Sequence, residues 1–583
     1  MIKLRPLLLA AALALPAAPA FADDAASAAP SSSLSAAERS LYRDVFAAIR
    51  AGDWAGASAR LDSMPGGALD NVARAELYLA KGSPRVELPQ IMAVLERAPE
   101  LPKADQLARL AQSRGATDLP ALPQAQTLLW VGSQPRRERA ESTRNDPVAG
   151  EIEPRVQPLI KDNRPFEAET AFLERQDALG PDARTEFQQR LAWSYYTIGS
   201  DRDARRLAAL ARAGTGDWAI QGAWTEGLAA WRQDDCKAAA DAFDFVAGRS
   251  SDVELNAAAH YWAARAEMMC GRPERVQAHL RSAARQKETF YGLLAVTALG
   301  IRGREATGLH DYRDSEWRSV AGKPNVRAAL ALAEIGETDL ADQFIRYQAR
   351  IGGPADHNAL LHLAADLNLA STQYWLAHNA PRGASVNFAA RYPRPDWQPT
   401  RGWRVDPSLA FAHALQESNF RTSVVSPAGA VGLMQVRPGT AGDIARARGE
   451  AFDSRMLTSP AANIEFGQSY IESLRDNGAT GGLLPKVIAA YNAGPVPVAE
   501  WNSRRFDRGD PLLYIESLPY WETRGYVPIV LRNYWIYEEE AGKTGPSRAA
   551  LAQGMWPRFP GMAGATAVRL MADETKLASR EGE

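Results

Sequence analysis

Histidine and cysteine are scarce in this chain of 583 residues, with seven of the first and two of the second. There is no HExxH and no clustered Cys/His spacing, so neither a metal nor any other cofactor is expected. No glycine-rich phosphate loop precedes a helix. Charge of one sign is lacking too: 67 Lys and Arg stand against 69 Asp and Glu, which gives no electrostatic footprint for nucleic acid or an anionic membrane. Beyond the first residues no long uncharged apolar stretch occurs, so no membrane span is expected. Sustained apolar/polar alternation is also missing, which argues against strands.

The amino terminus reads as an export signal. Lys3 and Arg5 form its basic region, an apolar run covers 7–15, and Ala20, Phe21 and Ala22 offer a small-x-small cleavage site before Asp23. The run is shorter than the roughly 20 residues a bilayer requires. No cysteine follows it, so a lipid anchor is not expected. Residues 1–22 are read as a signal peptide, and the remainder as a soluble protein of the periplasm.

At this length the chain exceeds one ordinary core. An Ala/Ser-rich start covers 23–36, and residues 23–385 read as helix after helix. Gly52, Gly199, Asp234, Gly271 and Gly336 mark turns between an apolar helix and one that starts with charge and alanine. Between 195 and 280 these turns recur at about 35-residue intervals, the range of helical-hairpin repeats, so a stacked solenoid or an irregular helical domain is expected. A Pro-rich stretch at 117–165 reads as a long loop or a break between helical blocks, and RRER at 136–139 as a solvated loop. Cys236 begins the second helix of one hairpin, and Cys270 ends the first helix of the next. A disulfide between them and two independent buried thiols both fit that placement.

Residues 386–545 carry the chemistry. Asp406 and Pro407 form a helix start, and Phe411, Ala412 and Leu415 share one face. Glu417 falls near the carboxyl end of that helix, where the helix dipole and burial in a cleft both favour its protonated form. A general acid working near neutral pH needs that bias. Three motifs follow: SPAGAVGLMQ at 426–435, AYNAG at 490–494 and ETRGYV at 522–527. Between the first two, residues 463–474 read as a helix packed closely through Gly467. Leu433 and Met434 suit a buried hairpin, Tyr491 suits a core aromatic, and Glu522 a solvated charge or a partner of Arg524. Glycosidases normally use two carboxylates; Asp443, Glu450, Asp453 and Glu465 are available, but none lies in a recognisable motif.

Taken in order, these motifs resemble the catalytic domain of the soluble lytic murein transglycosylases over roughly 400–540. KETFYGLLA at 287–295 and YPRPDW at 392–397 extend the likeness. The resemblance implies an all-α protein, a helical-hairpin superhelix (ring or solenoid) followed by a lysozyme-like domain that cuts peptidoglycan strands to 1,6-anhydromuramoyl ends. Glu417 is then the single acid and base. Ser426, Met434, Gln435, Arg437, Tyr491, Asn492, Glu522 and Tyr526 are the implied substrate contacts, with the Tyr491 hydroxyl pointing at Glu417 and Arg437 standing where the family usually has methionine. Partners implied are peptidoglycan strands, muropeptides and other cell-wall enzymes. A hydrolytic muramidase of the same fold and a non-catalytic scaffold are the alternatives. Confinement of the motifs predicts that a fragment of 395–583 folds alone, with 546–583 a polar peripheral extension.

Overall fold

A computed structural model describes residues 34–301, 314–504 and 507–570; the expected signal peptide lies outside them. Among the described residues regular structure consists of 27 α-helices, four short 3-10 turns and four two-residue strands. The chain divides into two units, Met1–Pro123 with Tyr312–Phe344, and Gln124–Asp311 with Ile345–Glu583.

In the first unit the helix Ala36–Ala51 opens on a capping box between Ser35 and Glu38. Its inward face, Tyr42, Val45 and Phe46, is buried, as are Leu61, Ile91, Leu95 and Leu107 on later helices of that unit. Tyr42 places its hydroxyl where the Leu69 N–H donates to it at 3.2 Å, which satisfies a polar group inside an apolar layer.

The second unit begins with the Pro-rich stretch, which is shorter as a loop than its composition suggests. Asp146 accepts from the N–H groups of Val148 and Ala149, and the helix Pro147–Lys161 follows with Pro154 and Pro158 inside it. Helical hairpins then succeed one another: Pro181–Thr197 with Asp201–Arg212, Gly216–Arg232 with Cys236–Ala247, and Val253–Met269 with Pro273–Ala284. Gly199, Asp234 and Gly271 make their turns, each with positive φ. Asp tolerates that region better than most side chains, which explains its place in the series. Cys236 and Cys270 are joined in a disulfide with a Cα–Cα distance of 5.4 Å.

These hairpins and the motif-bearing part share one core. Phe290, from KETFYGLLA, stacks on Trp535 with centroids 5.1 Å apart. Tyr291 donates to Glu516 at 2.7 Å, and Arg137 grips the same carboxylate with contacts of 2.6 and 2.7 Å. Arg137 therefore leaves the solvated loop expected of RRER and becomes half of a buried ion pair, because Glu516 is only 1% exposed and needs a counter-charge. A fragment cut at 395 would lose Arg137 and Tyr291 from that carboxylate and Phe290 from Trp535, contacts that the expectation of an independently folding piece leaves out. Nor is the end of the chain merely peripheral. Trp556 is fully buried and donates to the Gly509 carbonyl at 2.7 Å, while Phe559 N–H donates to Gly482 O at 2.8 Å.

Candidate active site

The helix Pro407–Ser418 starts where Asp406 accepts from Ser408 N–H at 2.9 Å. It stops at Asn419 and Phe420, two successive residues with φ of 51° and 62°. Non-glycine residues pay roughly 1 kcal/mol or more for this region, and here it turns the chain sharply just after Glu417. The Glu417 carboxyl is partly buried and accepts from the Tyr526 hydroxyl at 2.6 Å. Burial pushes its pKa up to about 7; the Tyr526 bond opposes that rise, and the negative charge of Glu522 adds to it.

Tyr526 takes the position that the resemblance gave to Tyr491. Tyr491 donates instead to the Met434 carbonyl at 2.7 Å, and its ring lies 4.4 Å from that of His413. The exchange follows from packing: the helix Trp521–Glu540 lies against both Pro407–Ser418 and Leu484–Ala493, which carries position 526 onto the acid. His413, one turn before Glu417, is a residue the motifs did not single out. It is fully buried, its Nδ1 is 2.9 Å from the Tyr526 oxygen, and burial holds its pKa down at about 3. The imidazole is thus neutral. While the phenolic proton goes to a charged Glu417, Nδ1 carries the imidazole proton and donates to Tyr526. The bare Nε2, which has no hydrogen-bond partner among the described residues, is then a lone pair and not a stranded N–H.

SPAGAVGLMQ forms a tight loop beside this line. Asn463, fully buried, donates to Val431 O and Leu457 O at 2.9 and 2.8 Å and accepts from Met434 N–H at 2.8 Å. Gly432 has φ of 76°, and a Cβ there would stand 2.3 Å from the Leu457 carbonyl, so only glycine fits. Gly467 gives similar room to the Met434 thioether. Met434 is accordingly 0% exposed and offers no surface to a sugar, which corrects its assignment as a substrate contact. Ser426 is used inside the loop, accepting from Ala430 N–H at 3.0 Å. Gln435 donates to Gly432 O at 2.7 Å and to Val424 O at 3.2 Å. Arg437 is exposed.

Asn492 donates to Glu522 at 3.1 Å and accepts from Thr523 at 2.6 Å, which ties AYNAG to ETRGYV. Glu522 does not pair with Arg524, which donates to Leu518 O. The other carboxylates of the region are engaged: Glu465 with Arg404 and Arg448, Glu450 with Arg401, Asp443 with Arg446, Asp453 with Arg455. Glu465 is held below its usual pKa by those arginines and Gln468, against the opposing effect of its own burial. Among the described residues Asp244, Glu267 and His279 have metal-like spacing, but Arg272 and Arg275 already hold Glu267.

Residues 398–513 match the transglycosylase SLT domain family. Soluble lytic murein transglycosylases from Salmonella typhimurium and Escherichia coli K12 are 36% and 38% identical over 165 and 135 residues, which is 27% and 23% of this chain. The matched part spans about a quarter of those relatives' own length, 24% and 20%. The 70-kDa soluble lytic transglycosylase in complex with bulgecin A is similar in structure, with a TM-score of 0.54 at 19% identity over 90% of this chain and 88% of that one. An inactive mutant of the lytic transglycosylase Slt from Pseudomonas aeruginosa gives 0.52 at 18% identity, covering 87% of each chain. Residues 398–513 thus match a transglycosylase SLT domain, in a chain whose helical fold is similar to that of the soluble lytic transglycosylases.

Proposed function

We propose that this protein is a periplasmic lytic transglycosylase that cleaves the β-1,4 bond between N-acetylmuramic acid and N-acetylglucosamine in peptidoglycan without water. The observation that carries this reading is Glu417, a carboxyl poised near pH 7 under a tyrosine hydroxyl, while four other acids of residues 398–513 are held in ion pairs. Protonated Glu417 gives its proton to the glycosidic oxygen, and the bond from the muramoyl C1 breaks with its electron pair going to that oxygen. The substrate's own N-acetyl group steadies the cation-like carbon. Glu417, now a carboxylate, takes the proton of the sugar's 6-hydroxyl as that oxygen attacks C1. The proton count closes with Glu417 protonated again and a 1,6-anhydromuramoyl end formed.

Tyr526 fits this cycle because its bond to Oε1 is strongest when Glu417 is charged, the state that exists between the two proton transfers. Gln435 has an Oε1 with no partner among the described residues, available to a saccharide hydroxyl. Arg437, exposed beside it, supplies charge where the family has an apolar contact. Among the described residues no helix is long and apolar enough to cross a membrane.

Hydrolysis is the second reading, favoured by Glu522, the other carboxyl that Glu417 senses; it would act as base for a water molecule. Mass spectrometry of digested sacculi separates the readings. Anhydromuramoyl ends support transglycosylation, reducing ends support hydrolysis, and intact sacculi would leave a binding scaffold.

A further inference from the structure

A cavity of about 620 Å³ in the second unit takes no part in the proposed reaction, since neither Glu417 nor any residue of the three motifs lines it. That volume falls in the range of small-molecule sites. One side of the helix Val253–Met269 forms its wall: Tyr261, Ala264, Arg265 and Met268 recur at helical spacing and so share a face. The turn at Gly271 then brings in Pro273–Ala284, whose Val276 and Leu280 lie four apart. Leu551 and Leu570 add to the apolar part. Met268 and Met269 are 56% and 38% exposed, adaptable apolar side chains left uncovered.

Charge along this wall is not balanced. Among the described residues three arginines and one aspartate line the cavity, and no glutamate or lysine does. Arg265 is paired with Asp510, and Arg508 with Asp234 at 2.8 Å. Arg569 is exposed, donates to the Gln553 carbonyl at 3.4 Å and meets no carboxylate among the described residues. One positive charge is left over. Tyr261 adds an independent sign of a ligand. It is 3% exposed, and burial pushes its pKa up to about 12, so the hydroxyl keeps its proton at neutral pH. That hydroxyl has no hydrogen-bond partner among the described residues, although the side chain lines the cavity. Arg265, one turn further along, has an Nη1 in the same condition. Buried donors without acceptors are unfavourable, and an anionic oxygen at this wall would satisfy them.

We propose that this cavity binds an amphiphile with an apolar chain and a single carboxylate, of the class of the fatty acids. The chain lies against Met268, Val276, Leu280 and Leu551, and the carboxylate accepts from Tyr261 and pairs with Arg569; one negative charge matches the one left over. The test titrates the full-length protein by calorimetry with decanoate below micelle-forming concentrations, beside decanol and butyrate. Decanoate should bind, decanol at least tenfold more weakly for want of charge, and butyrate not measurably for want of the chain. Arg569→Gln, at an exposed position, and Tyr261→Phe, which removes a hydroxyl that holds no bond in the fold, should each weaken decanoate about tenfold, with circular dichroism unchanged. Decanoate left unbound, decanoate and decanol bound equally, or equal affinity in wild type and both variants overturns the proposal. So does binding that appears only in a chain ending at Leu570, which would give the cavity to residues 571–583. No arm of the test uses peptidoglycan, so its outcome is independent of the catalytic reading.

Discussion

The Tyr526 hydroxyl donates to Glu417 Oε1 at 2.6 Å, and the same phenolic oxygen stands 2.9 Å from His413 Nδ1. Glu417 and His413 lie one turn apart on a single helix, whereas Tyr526 arrives from another. The acid is therefore positioned by a short chain of donors, His413 to Tyr526 to Glu417, that starts inside the core.

Replacing Tyr526 by Phe removes a bond that favours the carboxylate, so the Glu417 pKa should climb above about 7. Cleavage requires the protonated form first, and activity falls as pH rises through that pKa. The alkaline limb of the kcat/KM profile should consequently move to higher pH, while the rate at the optimum drops about 10- to 100-fold from lost stabilisation of the charged intermediate state. A lower rate with an unmoved limb would separate Tyr526 from the ionisation of Glu417.

His413→Phe keeps a ring against Tyr491 but deletes the donor to Tyr526. Because the imidazole is already neutral above about pH 3, this change should remove no limb from the pH profile. It should lower kcat about tenfold with little change in KM, since it acts through the orientation of Tyr526 and not on substrate binding. His413→Asn, whose amide can donate near the place of Nδ1, should recover part of the loss. Failure of Asn to do better than Phe would assign His413 to packing alone.

Glu417 also costs stability as pH rises. Its folded pKa of about 7 exceeds the ordinary value of 4.5, so the folded state keeps a proton that the unfolded chain releases. The stabilising effect of that proton is fully present below about pH 4.5 and is lost as pH rises through 7. Buried Glu254 and Glu538, pushed up by burial to about 7 and about 8, act in the same direction. Glu417→Gln should match wild type near pH 4 and be more stable at pH 8 by on the order of 2 kcal/mol. Urea unfolding at the two pH values measures this, and a variant equally stable at both would remove the case for a raised pKa.

The Cys236–Cys270 bridge closes a loop with a sequence separation of 34. Reduction should lower stability by about 2 to 4 kcal/mol. Peptide mapping of protein exported to the periplasm should recover the two cysteines linked, and free thiols in both peptides would refute the bridge.

Much of this architecture was legible before any coordinates. Gly199, Asp234 and Gly271 stood out because a helical hairpin needs a left-handed residue at its turn, and Glu417 because a helix end and three following motifs give a carboxyl its setting. The roles of the two tyrosines were not legible. Both lie on helices that flank the acid, and which hydroxyl reaches it depends on how those helices pack. Arg137 looked solvated because its partner Glu516 lies 379 residues away. Met434 read from the sequence both as part of a buried hairpin and, by resemblance, as a substrate contact, and its full burial against Gly467 favours the first. The stretch after 545 is polar in composition, yet a few large side chains, Leu551, Trp556 and Phe559, are enough to fix it.

In the proposed reaction one carboxyl both gives and takes the proton, so that no water enters the product. Digestion of purified sacculi in water enriched in oxygen-18, with wild type and Glu417→Gln side by side, tests it directly by mass spectrometry. Wild type should release anhydromuramoyl products free of the heavy isotope, and Glu417→Gln, folded and still binding sacculi, should release almost none. Reducing ends carrying oxygen-18, or Glu417→Gln activity within about tenfold of wild type, would contradict the account.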